Sequence, residues 1–269
     1  MRQRRFWPRV LITAALAFFL LPVLWLVSTA YKPARDVFSY PPSLAFTPTL
    51  DNFRTIAELF DLKQLLVTSL TISGGATLLA LLLGVPAGYA LARSRSRLAM
   101  GIAYLFLAIR MVPPVATLIP FYVLMRDLGL LGGAGAVIPI HGMLSTTFVT
   151  WLMFGQFRAL PPTLEEAAMV DGCTRLGAFL RIAVPLVAPG IVAAALLSFM
   201  LSWNDFLFAS FLTSARSKTL SVALLSAYGT KDITWGTMGA LAHLATLPVI
   251  ALALVLNRYF VQGMTRGMH

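Results

Sequence analysis

Charge is what this sequence has least of. Only 12 % of its 269 residues are charged and 58 % are hydrophobic, whereas soluble domains carry about 25 % charged residues. The shortage comes in blocks. No charge falls between Lys63 and Arg93, between Asp127 and Arg158, between Arg181 and Asp205, or between Asp232 and Arg258. Each gap exceeds the roughly 20 residues that cross a bilayer. A soluble globular domain is excluded, and a polytopic all-α membrane protein is predicted. Cysteine is nearly absent too: Cys173 stands alone, so no internal disulfide exists and the redox compartment cannot be read. The histidines His141, His243 and His269 have no metal-ligand spacing and read as packing or hydrogen-bonding residues. A polytopic membrane enzyme would need nucleophile, acid/base or metal ligands converging at one membrane face, and these residues do not supply them.

Acids are scarcer than bases, 10 against 21, for a net charge of +11. In so apolar a chain this points to topology rather than nucleic acid. Spans are predicted near 10–30, 64–92, 99–125, 135–157, 186–213 and 236–260, as one permease-like domain over residues 1–269. With both termini in the cytoplasm, the inner segments hold Arg2, Arg4, Arg5, Arg9, Arg93, Arg95, Arg97, Arg158, Arg175, Arg181, Arg258 and Arg266 against three acids, Glu165, Glu166 and Asp171. That asymmetry is the positive-inside rule. The basic start and the run Val10–Val27, followed by Ser28-Thr29-Ala30, also fit a secretory signal. The run is longer than a usual signal core and further spans follow, so it reads as an uncleaved first span.

Glycine and proline crowd spans two and three, at Gly74-Gly75, Gly84, Pro86, Gly88, Pro113-Pro114 and Pro120. Small residues four apart let helices approach closely. Proline frees a carbonyl that lipid cannot satisfy, which favours protein-packed or water-lined positions. Two readings stand: ordinary bundle packing, or spans bent around a pathway.

The longest polar segment that can face the cytoplasm runs over 158–182. Pro161-Pro162 stops span four. Thr163 and Glu166 have capping-box spacing, predicting a short helix from Leu164 to about Val170 that Gly172 ends in a left-handed conformation. A second short helix is predicted from Thr174 to Ala183, with Pro185 and Pro189 leading into span five. Glu165, Glu166 and Asp171 are expected to be exposed, and Ala167 and Ala168 to form a flat side for a partner. Glu166 as a mere cap and Gly172 as a mere terminator remain the plainer alternative.

Glu166-Ala167-Ala168, Asp171-Gly172, Ile182 and Pro185 resemble the signature loop of the permease subunits of ATP-binding-cassette importers, with Val184 where leucine is frequent. Trp203-Asn204-Asp205-Phe206 and Arg258 to Thr265 resemble the carbohydrate branch, most of all the smaller permease of the maltose type. The resemblance covers essentially the whole chain. It implies the type I importer fold in a bacterial inner membrane, and a coupling helix formed by Glu165, Glu166, Ala167, Ala168, Asp171 and Gly172. It implies partners: a second homologous permease, a pair of ATPase subunits, and an extracytoplasmic solute-binding protein that delivers a sugar. ATP and Mg would be bound by the ATPase subunits and no cofactor by this chain. Consistently, the sequence has no Gly-x-x-x-x-Gly-Lys-Ser/Thr loop. The tail Gln262 to His269 is the segment that would reach the ATPase interface.

Within the predicted spans, apart from Arg258 at the inner end of the last, the charges are Arg110 and Asp205. Intramembrane charges are costly and usually face a cavity or a partner. Arg110, Asn204 and Asp205 are expected to line the pathway, with Trp203 stacking on a sugar ring; snorkelling to an interface is the alternative. A di- or oligosaccharide is the expected substrate, then a monosaccharide derivative, polyol or glycerol phosphate. An ion-driven secondary transporter would show internal repeats and broken helices at matching positions in two halves, and neither is apparent in the sequence.

Overall fold

The computed structural model describes residues 6–37, 39–41, 43, 45–228 and 234–266, with side chains between 9 and 254. Its named elements are all helical: α1 Phe6–Ala30, α2 Ala34–Val37, α3 Asp51–Leu59, α4 Leu62–Arg93, α5 Arg97–Ile109, α6 Pro114–Asp127 and α7 Ala134–Ala159. There follow α8 Thr163–Val170, α9 Arg175–Ala178, a π-turn Phe179–Ala183, α10 Val184–Leu186, α11 Ala188–Trp203, α12 Leu207–Leu212, α13 Leu220–Ser226 and α14 Trp235–Arg266. Among the described residues, four helices are long and apolar enough to cross a membrane. The count reaches six if the bent pairs α5–α6 and Arg175–Leu186 with α11 each make one span.

Two of the expected continuous spans are therefore broken. Span three turns by 95° between α5 and α6. Pro113 and Pro114 supply no N–H, and a residue before proline is pushed out of the helical region. The N–H groups just past α5 fall back on carbonyls three residues earlier, from Arg110 to Leu107 and from Met111 to Ala108. Span five bends by 75° ahead of Pro189, at Val187, and opens again at Asn204–Phe206, between α11 and α12. Span two, for all its glycine and its Pro86, stays one 32-residue helix.

The chain gathers into two compact units. The first joins the chain up to Lys63 with Ala223–Pro248. In it, Ala30, Ile56, Ala240 and Leu241 form a fully buried seam. The Asn52 amide donates to Ala30 O at 2.9 Å and to Lys32 O at 2.8 Å, closing the carbonyl end of α1. His243 is a packing residue here, set edge-on to Tyr31 and Phe53.

The second unit joins Gln64–Val222 with the chain from Val249. Its centre is α7, whose buried Val149, Met153 and Phe157 pack with Ala80 and Val85 of α4 and Ala194 of α11. Gly84 and Gly88 make the α4 contact possible: a Cβ at Gly84 would lie 2.7 Å from Val149 Cγ1, and one at Gly88 2.9 Å from Thr150 O. Close approach through small residues is how membrane helices gain dispersion energy where lipid removes the hydrophobic drive.

Candidate functional site

The segment after α7 is a hairpin of short helices locked to the helix ends beneath it. α7 stops at Leu160, which is extended ahead of Pro161. α8 ends in a Schellman motif: Cys173 N–H donates to Ala168 O at 3.0 Å and Gly172 N–H to Met169 O at 3.1 Å. Gly172 has φ +90°, the left-handed conformation this motif needs. Thr174 then caps α9, accepting from Gly177 N–H at 3.0 Å. The second helix runs on past the predicted Ala183 through the π-turn to Leu186.

One predicted feature of α8 is absent and another is reversed. The capping box does not form. Pro162 sits at φ −61°, ψ −25°, so the helical turn has begun before Thr163, and Glu165 and Glu166 N–H bond the Pro162 carbonyl. Thr163 is inside the helix and has no open amide to cap. Glu165 is not exposed: it keeps 5 % of its surface. Its carboxylate accepts from Tyr89 Oη at 2.6 Å and from Arg93 Nε and Nη2 at 3.0 and 2.6 Å. Arg93, the last residue of α4, also donates to Phe157 O at 2.8 Å and Leu160 O at 3.2 Å. One guanidinium thus satisfies the open carbonyls of α7 and fixes α8 to α4. Burial by itself would push the Glu165 carboxyl up. The hydrogen bonds from Arg93 and Tyr89, with the Arg93 charge, outweigh it and hold the carboxyl below the usual carboxylate range.

What the hairpin exposes is Glu166, Ala167 and Asp171, with apolar Leu164 and Val170 on α8 and Leu176 and Leu180 on the second helix. Ala168 is half-buried. A groove of about 650 Å³ beside this face is lined by Arg95, Glu166, Met169 and Arg175 among others. Because Gly172 has open space where a Cβ would go, Gly172→Ala should act only through the backbone. It should cost about 1–2 kcal/mol and speed proteolysis between α8 and α9; unchanged cleavage would contradict the Schellman assignment.

A second candidate site lies where both broken spans meet α7. A cavity of about 270 Å³ is bounded there by Arg110, Thr117, His141, Ser145, Ser202 and Asp205, with Phe121 and Phe208 among its apolar walls. Arg110 and Asp205 are neither inside helices, as expected, nor paired with each other. Arg110 ends α5, its guanidinium 5.2 Å over the Phe148 ring. Asp205 lies in the gap after α11, where Oδ1 accepts from Phe208 N–H at 3.0 Å and Ala209 N–H at 3.2 Å, so the side chain caps α12. The same oxygen is 3.1 Å from His141 Nε2, and His141 Nδ1 is 2.7 Å from Ser202 Oγ. A neutral imidazole satisfies both contacts, donating from Nε2 to Asp205 and accepting from Ser202 at Nδ1.

This Ser–His–Asp order does not make a hydrolytic site. Ser202 closes the last turn of α11, where Asp205 N–H bonds its carbonyl and Asn204 N–H bonds Met200 O. The amides that follow it, of Asn204 and Asp205, are thereby already taken and not offered to an oxyanion. From the sequence, His141 reads as a packing or hydrogen-bonding residue, which its contacts agree with, but not as part of a site, and Ser145 and Ser202 do not stand out at all. The available signal was an ionisable residue inside a charge-free span. Trp203 and Asn204 do not join the cavity. Trp203 is buried and stacked on Phe199, with ring centroids 5.4 Å apart, so its face is taken by packing rather than offered to a sugar. Asn204 turns back to Met200 O at 2.9 Å. Of the predicted tail, residues 262–266 continue α14 without described side chains, and 267–269 lie outside the described residues.

Residues 80–266 match the family of binding-protein-dependent transport system inner membrane components. The chain is similar to a probable ABC transporter permease, y4oR, of Sinorhizobium fredii, with 36 % identity over 96 % of this chain and 93 % of the relative. It is also similar to the trehalose transport system permease SugB of Mycobacterium tuberculosis, 34 % identical over 99 % of this chain and 97 % of that one. The diacetylchitobiose uptake permease DasC of Streptomyces coelicolor is 31 % identical over 98 % and 96 %. Among solved structures, a chain of a bacterial ABC transporter that imports the acidic polysaccharide alginate matches 96 % of this chain and 97 % of its own length, with a TM-score of 0.76 and 24 % identity.

Proposed function

Since this chain belongs to the family of binding-protein-dependent transport inner membrane components, we propose that it is one of two permeases in an ATP-driven importer of sugars. The substrate reading is supported by the names of relatives for trehalose and diacetylchitobiose. In this proposal the chain hydrolyses nothing itself. A separate ATPase pair binds ATP and Mg, a binding protein delivers the sugar outside, and both termini face the cytoplasm.

The observation that carries the proposal is the hairpin. A surface that transmits force must be stiff where it meets its own bundle and open where it meets its partner. Glu165 and Arg93 provide the first, and Glu166, Val170 and Leu176 the second. The cavity at the two helix breaks is the proposed pathway segment, with Arg110 and Asp205 on its wall. Broken helices at membrane depth are tolerated where they line protein or water, and two breaks at one cavity fit that requirement.

The test is co-expression with the neighbouring ATPase and second permease. Glu166→Ala should leave membrane insertion unchanged and cut both co-purified ATPase and sugar uptake. Removing one member of a desolvated interfacial charge pair costs about 2–5 kcal/mol, which is well over tenfold in affinity. Wild-type chain that inserts and recovers no ATPase would defeat the proposal outright. Full assembly and uptake by the Glu166 variant would defeat the docking role.

A further inference from the structure

The two charged groups on the cavity wall are unequally hydrogen-bonded, and that inequality bears on what the cavity holds. Its acid, Asp205, has three donors on one oxygen: two backbone amides and His141. Its base has none of the corresponding partners. Among the described residues the Arg110 guanidinium makes no ion pair or hydrogen bond, and lies only on the Phe148 ring. Arg110 follows the 13-residue α5, is exposed within this chain and borders the cavity. An exposed guanidinium with no acid beside it is free to take an anion through its fork of N–H donors.

A second group points into the same space. Ser145 is 4 % exposed and lines the cavity, and its hydroxyl has no hydrogen-bond partner among the described residues. The other hydroxyls on this wall are already engaged, Thr117 with Pro114 O at 2.9 Å and Thr147 with Leu144 O at 2.8 Å. Ser145 alone keeps a donor and an acceptor for a ligand. Ligand pockets usually run from about 300 to 1,000 Å³, so a cavity of about 270 Å³ suits a single sugar ring rather than a chain of them.

We propose that this cavity is an anionic-sugar subsite, in which Arg110 binds the carboxylate or other acidic group of one sugar ring and Ser145 binds a ring hydroxyl. Phe121 and Phe208 supply the apolar wall for the ring face. His141 is a positioning residue: by occupying Asp205 and Ser202 it keeps the carboxylate of Asp205 turned from the incoming anion. The inference rests on the sugar-importer reading and narrows it from sugars in general to acidic ones. Lysine would keep the charge but not the bidentate fork.

The experiment uses the complete transporter reconstituted in nanodiscs, with a uronic trisaccharide and its neutral counterpart as probes. Thermal protection by each is measured with and without the Arg110→Gln and Arg110→Lys substitutions. The wild type should be protected by the uronic probe at concentrations at least tenfold below the neutral one. Arg110→Gln should abolish that preference while protection by the neutral probe stays, and Arg110→Lys should retain part of it. Equal protection of the wild type by both probes would overturn the proposal and leave the sugar reading intact. An equal loss of both in Arg110→Gln would overturn it too, assigning Arg110 to structure or to an acid of the second permease. Repeating the assay in zwitterionic and in anionic lipid separates the remaining source of negative charge: a preference unchanged between them supports the sugar anion, and one that anionic lipid abolishes would overturn it in favour of a headgroup. No protection by any sugar would overturn the importer reading along with the subsite.

Discussion

Glu165→Ala should destabilise the transporter more than any substitution on the exposed face of the hairpin. Glu165 is 6 % and Arg93 19 % exposed at the side chain, with a shortest contact of 2.6 Å. Removing one partner of such a buried pair costs about 3–5 kcal/mol, because the survivor stays buried and unpaired. Here the survivor is Arg93, which also closes the end of α7 through Phe157 O and Leu160 O. Thermal inactivation and limited proteolysis of the complete transporter should both show loosening at α8. Glu165→Gln should cost less, since an amide can still accept from Tyr89 and Arg93. Replacing the pair together, Arg93→Met with Glu165→Leu, should recover part of the loss, because no charge is then left behind. Wild-type stability in Glu165→Ala would mean that the pair does not hold the hairpin.

The same pair sets an acid limit. The Glu165 carboxyl titrates below the usual carboxylate range in the folded chain. Its stabilisation is therefore complete at neutral pH, present wherever an unfolded carboxyl would be ionised, and lost as pH falls through the lowered folded value. Thermal stability of the wild type should fall across that acid window more steeply than that of Glu165→Gln, which has no carboxyl there to protonate. Parallel curves would contradict the assignment.

The parts of this molecule legible in the sequence are those written locally. The charge-free blocks marked the spans, and the Pro161-Pro162 pair and Gly172 marked the ends of α7 and α8. The Arg93–Glu165 clamp was not legible because its partners are 72 residues apart, and an acid beside Glu166 reads as a surface acid until its partner is placed. The capping-box error has a different origin. Thr-x-x-Glu looks the same whether threonine precedes the helix or opens it, and the backbone of Pro162 decides which. The break at Pro113-Pro114 was announced by two missing amides. The break at Asn204–Phe206 has neither proline nor glycine. Asp205 holds it open by taking over two α12 amides itself, so the sign of this gap was an acidic residue that had been read as a charge inside a helix.

The α4–α7 contact should fail in proportion to what each glycine faces. Three glycines of α4 form a graded series. A Cβ at Gly74 meets nothing within 4 Å, so Gly74→Ala should be neutral or gain up to about 1 kcal/mol from helix propensity. A Cβ at Gly75 would lie 2.9 Å from Ile138 Cδ1, the far end of a flexible side chain that can turn away. At Gly88 the obstacles are Met153 Cβ at 2.8 Å and backbone atoms, Phe154 N and Thr150 O, both at 2.9 Å. Backbone in the middle of α7 cannot yield without moving the helix. Gly88→Ala should therefore cost about 1–3 kcal/mol as overpacking, more than the propensity it gains, and Gly88→Val should abolish assembly. The displaced helix is the one whose end Arg93 closes and whose middle carries His141 and Ser145, so transport should fall with the fold rather than after it. Recovery of each variant in the assembled complex, followed by thermal inactivation, reads the order Gly74, Gly75, Gly88. Gly88→Ala as stable as Gly74→Ala would show that α4 and α7 are not in backbone contact.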